Sequence, residues 1–201
     1  GRITAESLGK GGTQVTALVR REENLNNCIT IGNWLTSSEA VSAIQKAEVA
    51  IHLAGSLNPP DHDYQKANIT TTKRLVESLE GGRVRKIIFL SYVGASENSR
   101  NQYLATKASA ERFLQETRIP LTVLRCTHII GPPRSPGPTA SQMLLDGNRS
   151  VPILGNGKQR IAPVYIGDVV AAILASLQSD IDGTFDLQGP DEMTIDDLVR
   201  L

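Results

Sequence analysis

Cysteine, histidine and aromatic side chains are scarce in this 201-residue chain, which has two Cys, three His, three Phe, four Tyr and one Trp. The scarcity removes several classes of protein. Cys28 and Cys126 each sit in an apolar, strand-like run, which suits buried thiols in a reducing compartment and makes a cytoplasmic location the expectation. The scattered histidines and the lack of any CxxC or HxxxH spacing leave no metal site to assemble. Excess charge of either sign is also missing, with 21 Lys and Arg against 21 Asp and Glu for a net charge of zero. No basic surface therefore argues for nucleic acid, and no acidic block argues for a solvating tail. Long apolar runs are absent as well, none approaching the roughly 18 to 20 residues that cross a bilayer, so the reading is a soluble chain. There is no signal peptide, internal repeat or low-complexity segment, and the first residue is glycine, so the opening reads as the interior of something longer.

A chain of this length can bury one good core with a small appendage. Its patterning alternates. A helical spacing over residues 2–10, stopped by Gly11-Gly12, leads into the strand Gln14–Arg20 and a short strand Cys28–Ile31. A helix capped by Ser37 or Ser38 runs to Ala47, and the strand Val49–Ala54 stops at Gly55. A helix over Tyr64–Leu79, the strand Lys86–Ser91, a helix over Gln102–Arg118 and a long strand Leu121–Ile130 follow. Beyond these come a proline-rich loop at 131–138, a short helix at 139–146, a strand at 151–154 and the strand Val164–Ile166. Asp168 is then expected to cap a helix over Val169–Leu177, ahead of a strand Gly183–Leu187 and a helix from Thr194. Strands alternating with helices through glycine-bearing turns imply βαβ units and a parallel sheet covered on both faces, with ligands at the carboxyl ends of the strands.

Tyr103 and Lys107 stand one turn apart on the helix that follows Ser91. A phenol titrates near about 10, and a neighbouring ammonium favours the phenolate, so the pair can serve proton transfer at neutral pH. Ser91, at a strand end, could hydrogen-bond a substrate oxygen opposite the tyrosine. An ordinary solvated Tyr/Lys pair is the alternative that the spacing alone leaves open.

Taken together, ALVRR at 17–21, VAIHLAG at 49–55, Asn68, FLSYVGA at 89–95, YLATK at 103–107, VLRCTHIIGPP at 123–133, VPILGNG at 151–157 and VYIGDVVAAI at 164–173 resemble a known superfamily. It is that of the short-chain dehydrogenases/reductases, in the extended or atypical NAD(P)-binding branch of epimerase/dehydratase-like enzymes. The resemblance implies an α/β fold: a doubly wound, parallel-sheet Rossmann-like domain over 1–131, lacking its first strand. Residues 132–201 are then a mixed segment returning to the sheet plus a partial substrate-binding region. Such relatives begin with a strand and a GxxGxxG turn, of which Gly1 would be the last glycine. Truncation at both ends, or a natural fragment, accounts for that start.

By the same resemblance Tyr103 is the general acid/base, Lys107 lowers its pKa and holds the nicotinamide ribose, and Ser91 orients the reacting oxygen. Arg20 and Arg21 match residues that grip the 2′-phosphate of NADP, with NAD possible. Asn33 stands where relatives often place an aspartate near the adenine, and Ala54 and Gly55 pass the cofactor close to backbone. Asn68 belongs either to a water-linked proton relay or to local hydrogen bonding. Cys126 replaces a family proline after Arg125, and His128, near the expected nicotinamide, reads as a packing residue. Asp168 matches the family's acid at a strand-to-helix corner and is better explained as a cap. Expected partners are a small hydroxyl- or carbonyl-bearing substrate and, by analogy, a second copy in a homodimer. Two functions follow: an NAD(P)-dependent oxidoreductase, epimerase or dehydratase, or a non-catalytic dinucleotide-binding regulatory or complex-associated protein.

Overall fold

The computed structural model describes residues 1–131 and 156–200. The expected features at 132–155 (the proline-rich loop, the short helix and the strand of VPIL) lie outside the described residues. The chain divides into two compact units, Gly1–Arg125 with Val170–Asp186, and Cys126–Val169 with Leu187–Leu201.

The first unit opens with α1 (Arg2–Lys10), β1 (Thr16–Leu18), β2 (Ile29–Ile31) and α2 (Ser38–Lys46). Ser37 caps α2 by accepting the Ala40 N–H at 3.2 Å, a contact worth about 1 kcal/mol. Next come β3 (Val49–His52), a π-helical segment (Gln65–Thr70) that runs straight into α3 (Thr71–Ser78), β4 (Lys86–Tyr92), α4 (Gln102–Gln115) and β5 (Leu121–Cys126). Most of α5 (Ile166–Gln178) and of β9 (Gly183–Leu187) returns to this unit later in the chain, from Val170 to Asp186. β1 and β2 pair in parallel, and β3 and β4 pair in parallel within a four-stranded sheet of order β3-β4-β5-β9. No strand among the described residues joins β1 to β3. The parallel α/β sheet thus stands as two pieces, as expected of a Rossmann-like domain without its first strand.

The core follows from the strand pattern. Ile87 and Phe89 of β4, with Leu121 and Val123 of β5, pack with Ile44, Leu75, Leu79, Ala110 and Leu114 from α2, α3 and α4. The alternate residues, Ile88 at 0% exposure and Leu124 at 3%, are buried as well, so β4 and β5 are covered on both faces. Lys86, at the start of β4, donates from Nζ to the carbonyls of Ser179 at 2.5 Å and Ile181 at 3.1 Å beyond α5. A cation there neutralises the negative end of that helix.

In the second unit β6 (Ile129–Ile130) pairs in parallel with β8 (Val164–Tyr165), and β7 (Arg160–Ile161) pairs antiparallel with β10 (Met193–Thr194). The strand expected to run unbroken from Leu121 to Ile130 is interrupted. Thr127 turns its N–H to the Leu187 carbonyl at 3.1 Å and its hydroxyl to the Ala162 carbonyl, and the His128 carbonyl accepts from Val164 N. The last helix, α6 (Ile195–Arg200), starts from a reciprocal cap between Thr194 and Asp197. Asp168 is not a cap: α5 begins two residues earlier, at Ile166, and the carboxylate sits in its first turn, where it favours the helix dipole.

Candidate active site

The helix that carries Tyr103 starts where Asn101 dictates. Its side-chain oxygen accepts from the N–H of Tyr103 at 3.0 Å and of Leu104 at 3.5 Å, closing the first turn of the helix. One turn further, Lys107 is buried at 4% exposure; Nζ donates to the Leu90 carbonyl at 2.6 Å and stands 4.3 Å from the centre of the Phe89 ring. This is not a solvated pair. A buried ammonium is costly unless hydrogen-bonded, and here a strand carbonyl and an aromatic face hold it.

Behind the lysine lies a polar layer. Asn68, 1% exposed, donates from Nδ2 to Thr106 Oγ1 at 2.9 Å and accepts the Ser56 N–H on Oδ1 at 3.2 Å. It occupies the π-helical segment, not the α-helix expected over Tyr64–Leu79. The wider turn disturbs the usual pairing of carbonyls, and two adjacent threonine hydroxyls supply replacements. Thr71 Oγ1 donates to the Ala67 carbonyl at 3.0 Å, and Thr72 Oγ1 to that of Asn68 at 2.7 Å. Gly55 closes the layer, because a Cβ there would lie 2.8 Å from Asn68 Oδ1 and 3.4 Å from Lys107 Nζ. His52 completes it, 2.9 Å from Thr72 Oγ1 and stacked 5.3 Å from Phe89 on an almost parallel plane. Burial first, and Lys107 second, push its pKa down to about 3, so the ring is neutral.

Ser91 and Tyr103 are not brought together by hydrogen bonding of the serine. Ser91, 3% exposed, donates to Glu111 Oε1 at 2.5 Å. Glu111 is itself held by Arg125 through Nε at 3.0 Å and a terminal nitrogen at 2.6 Å, an arrangement that raises the Arg125 pKa. Two aromatic rings among the described residues pack by Tyr103: Tyr92, edge-on at 5.4 Å, and Tyr64 at 6.4 Å.

The remaining candidates fall in two groups. Arg20 and Arg21 follow β1, and Asn33 follows β2 with φ of +48°; all three are exposed. The Asn33 carbonyl accepts from Thr36 N and Oγ1, which fixes the turn, while Glu22 packs its Cγ 3.0 Å from the position a Cβ on Gly32 would take. An acid thus joins the two arginines on that rim. Gly1 leads into α1, with no atom within 4 Å of the position its Cβ would take, and Ala54 packs beside Ile31, Trp34 and Ala40. Cys126 and His128 belong to the second unit: the Cys126 side chain is buried, and burial lowers the His128 pKa. Sequence reasoning missed His52, Tyr92, Thr106 and Glu111. Strand alternation after Phe89 and helical spacing after Lys107 were the signals available for Tyr92 and Glu111. No group of three or more His, Cys, Asp or Glu among the described residues is placed to hold a metal. No helix among them is long and apolar enough to cross a membrane.

Comparisons with known proteins bear on the family and the fold. The chain is 28% identical, over all of its length and 54% of the relative's, to NADH dehydrogenase [ubiquinone] 1 alpha subcomplex subunit 9, mitochondrial, of Arabidopsis thaliana. It is 26% identical to human dTDP-D-glucose 4,6-dehydratase over 69% of this chain and 47% of that protein. The chain therefore spans about half the length of the curated relatives it matches. A solved structure of UDP-glucuronic acid 4-epimerase from Bacillus cereus, in complex with UDP-glucuronic acid and NAD, superposes with a TM-score of 0.81 at 22% identity, covering 98% of this chain and 77% of that one. A family profile matches residues 1–186, and by it the chain belongs to the NAD dependent epimerase/dehydratase family.

Proposed function

We propose that this chain forms the dinucleotide-binding and proton-transferring part of an NAD(P)-dependent enzyme of the epimerase/dehydratase type, acting on a small substrate that carries a hydroxyl or carbonyl group. The observation that carries the reading is the buried Lys107 ammonium, fixed by the Leu90 carbonyl at 2.6 Å one turn from Tyr103. A cation held there favours the phenolate form of the tyrosine, which is what a phenol needs to exchange a proton at neutral pH.

The residues present suit a dinucleotide. Arg20, Arg21 and Asn33 would face its adenosine end from the carboxyl ends of β1 and β2, and the exposed guanidiniums suit a 2′-phosphate. Ala54 and Gly55 would let it pass close to backbone, and Lys107 would hold the ribose beside Tyr103. When bound, the nicotinamide supplies the hydride chemistry. Everything else is the work of the chain: Tyr103 gives or takes the proton, Lys107 biases its ionisation, and the Asn68–Thr106 bond keeps the helix in place. A nucleoside-diphosphate sugar is the substrate class that the sugar-nucleotide relatives suggest.

A second reading is favoured by the relatives described as subunits of the mitochondrial NADH dehydrogenase, in Arabidopsis thaliana and Neurospora crassa. There the same site would hold a dinucleotide as a structural ligand in a larger assembly. Two measurements separate the readings. Equilibrium binding of NADPH and NADH, followed by fluorescence, is made on this chain and on the chain preceded by a strand and a GxxGxxG turn. Cofactor binding combined with loss of turnover in Tyr103→Phe supports the enzyme. Binding with no functional loss on that substitution supports the structural role, and no binding by either chain overturns both.

A further inference from the structure

We propose that Tyr92, and not Ser91, presents the second hydroxyl of the active site, the donor that holds the substrate's reacting oxygen while Tyr103 exchanges a proton with it. The inference rests on the reading of Tyr103 as the acid/base, and it assigns a role that strand geometry takes away from Ser91. Successive residues of a strand project to opposite sides. Ser91 points to Glu111, which lies eight residues past Tyr103 on α4, about 12 Å further along the helix. Its hydroxyl is spent there: Glu111 accepts it at 2.5 Å while Arg125 holds both carboxylate oxygens, and Ser91 and Glu111 are 3% and 5% exposed. Freeing Ser91 for a substrate would leave a buried carboxylate short of a donor.

Tyr92 is the next residue and the last of β4, and it meets α4 nearer that helix's start, at Tyr103. Its ring meets the Tyr103 ring edge-on, with centroids 5.4 Å apart and planes at 77°, and it is half-buried, so one part of it remains open to solvent. Burial raises its pKa, which keeps it a protonated donor through the neutral range, as a group that steadies an oxygen must be. Among the described residues, Tyr64 lies beside Tyr103 at 6.4 Å, and Lys107 stands one turn further along α4. A phenol is also far larger than a serine, so a substrate oxygen seated on Tyr92 lies further from the end of β4 than one seated on a serine would.

The test compares Tyr92→Phe, Ser91→Ala and Tyr103→Phe in the full chain. Turnover is read by product analysis with UDP-glucuronic acid, UDP-glucose and dTDP-glucose as probes, with NAD or NADP present. Tyr92→Phe is expected to lower kcat about 10²-fold with cofactor affinity unchanged, as loss of one oxygen-holding donor does. Ser91→Ala is expected to lower the melting temperature, because Glu111 loses a donor, and to leave kcat within about twofold, since that hydroxyl does not touch substrate. The reverse pattern overturns the inference. Should no probe turn over in the unsubstituted chain, that failure belongs to the proposed function, and tyrosine-ring ¹³C NMR titration then decides the placement of Tyr92. Two phenols that converge on one point titrate as a coupled pair. Tyr92→Phe should then raise the Tyr103 midpoint by about half a pH unit or more, by removing a donor to the phenolate, and Ser91→Ala should not move it. A Tyr103 midpoint that is unmoved by Tyr92→Phe overturns the inference.

Discussion

Lys107, Asn68 and Thr106, at the α4 end of the first unit, are each no more than 4% exposed and are tied to one another's elements by hydrogen bonds, whereas Arg20, Arg21 and Asn33 at the rim of β1 and β2 are all exposed. The buried end is paid for during folding: its polar groups are partnered before any ligand arrives, so little reorganisation is left for binding. The rim works differently. Its arginines must be ordered when a ligand binds, at a cost of about 0.5–1.5 kcal/mol per side chain, and their attraction is weakened by salt. Proton chemistry tolerates little misplacement, while gripping the far end of a long cofactor tolerates much more. The difference between the two regions follows that division of labour.

Four variants test the contrast. Tyr103→Phe should have the largest effect, a loss of about 10²-fold or more in kcat with the melting temperature nearly unchanged, read by steady-state kinetics and calorimetry. Gly55→Ala should destabilise the buried end by about 1–3 kcal/mol, because its methyl would meet Asn68 Oδ1 at 2.8 Å. A thermal scan should show a fall of roughly 2–4 °C for each kcal/mol lost. An unchanged melting temperature would mean that the Asn68 layer yields easily. At the rim, Arg20→Ala with Arg21→Ala should leave stability alone and weaken NADPH binding about tenfold while sparing NADH, an effect that shrinks as salt is raised. Equal weakening of both cofactors would remove these arginines from the 2′-phosphate.

The smallest effect at neutral pH belongs to His52. Its folded pKa of about 3 lies below the ordinary 6.5, so the unfolded chain takes up the proton first as pH falls. The stability it contributes is complete above about 6.5 and is lost towards pH 3, with a slope of at most about 1.4 kcal/mol per pH unit. Denaturant titrations from pH 7 to 4 should therefore show a shallower decline in His52→Gln than in the unsubstituted chain. Parallel declines would show that the ring titrates normally. Glu97 and Glu192, whose pKa values are lowered by their arginine partners, contribute an acid-side loss common to both proteins.

The Tyr103–Lys107 pair was legible because a helical period of four is a local property, and the capping residues Ser37 and Asn101 and the alternation of strands and helices are local too. The π-helical turn at Asn68 was not. Three threonines in a row hint at carbonyls needing donors, but only packing against α4 gives Asn68 its partner, Thr106. The interruption of the strand after Cys126 was hidden for a similar reason. Thr127 and His128 continue an apolar strand pattern, and the Leu187 and Val164 groups that draw them away are more than 30 residues distant in sequence. Ser91 is the most instructive residue: its position at a strand end was right, and its direction could not be known without Glu111 and Arg125.

The sequence by itself determined the class of fold, the order of its elements and the presence of a tyrosine and a lysine on one helix face, because periodicity and capping act over a few residues. Tertiary packing decided that the lysine is buried and held by a carbonyl, that Asn68 sits on a widened turn, and that the ring of Tyr92, not the Ser91 side chain, packs against Tyr103. Those are matters of long-range partners, and a buried polar group takes its direction from whichever distant group can satisfy it.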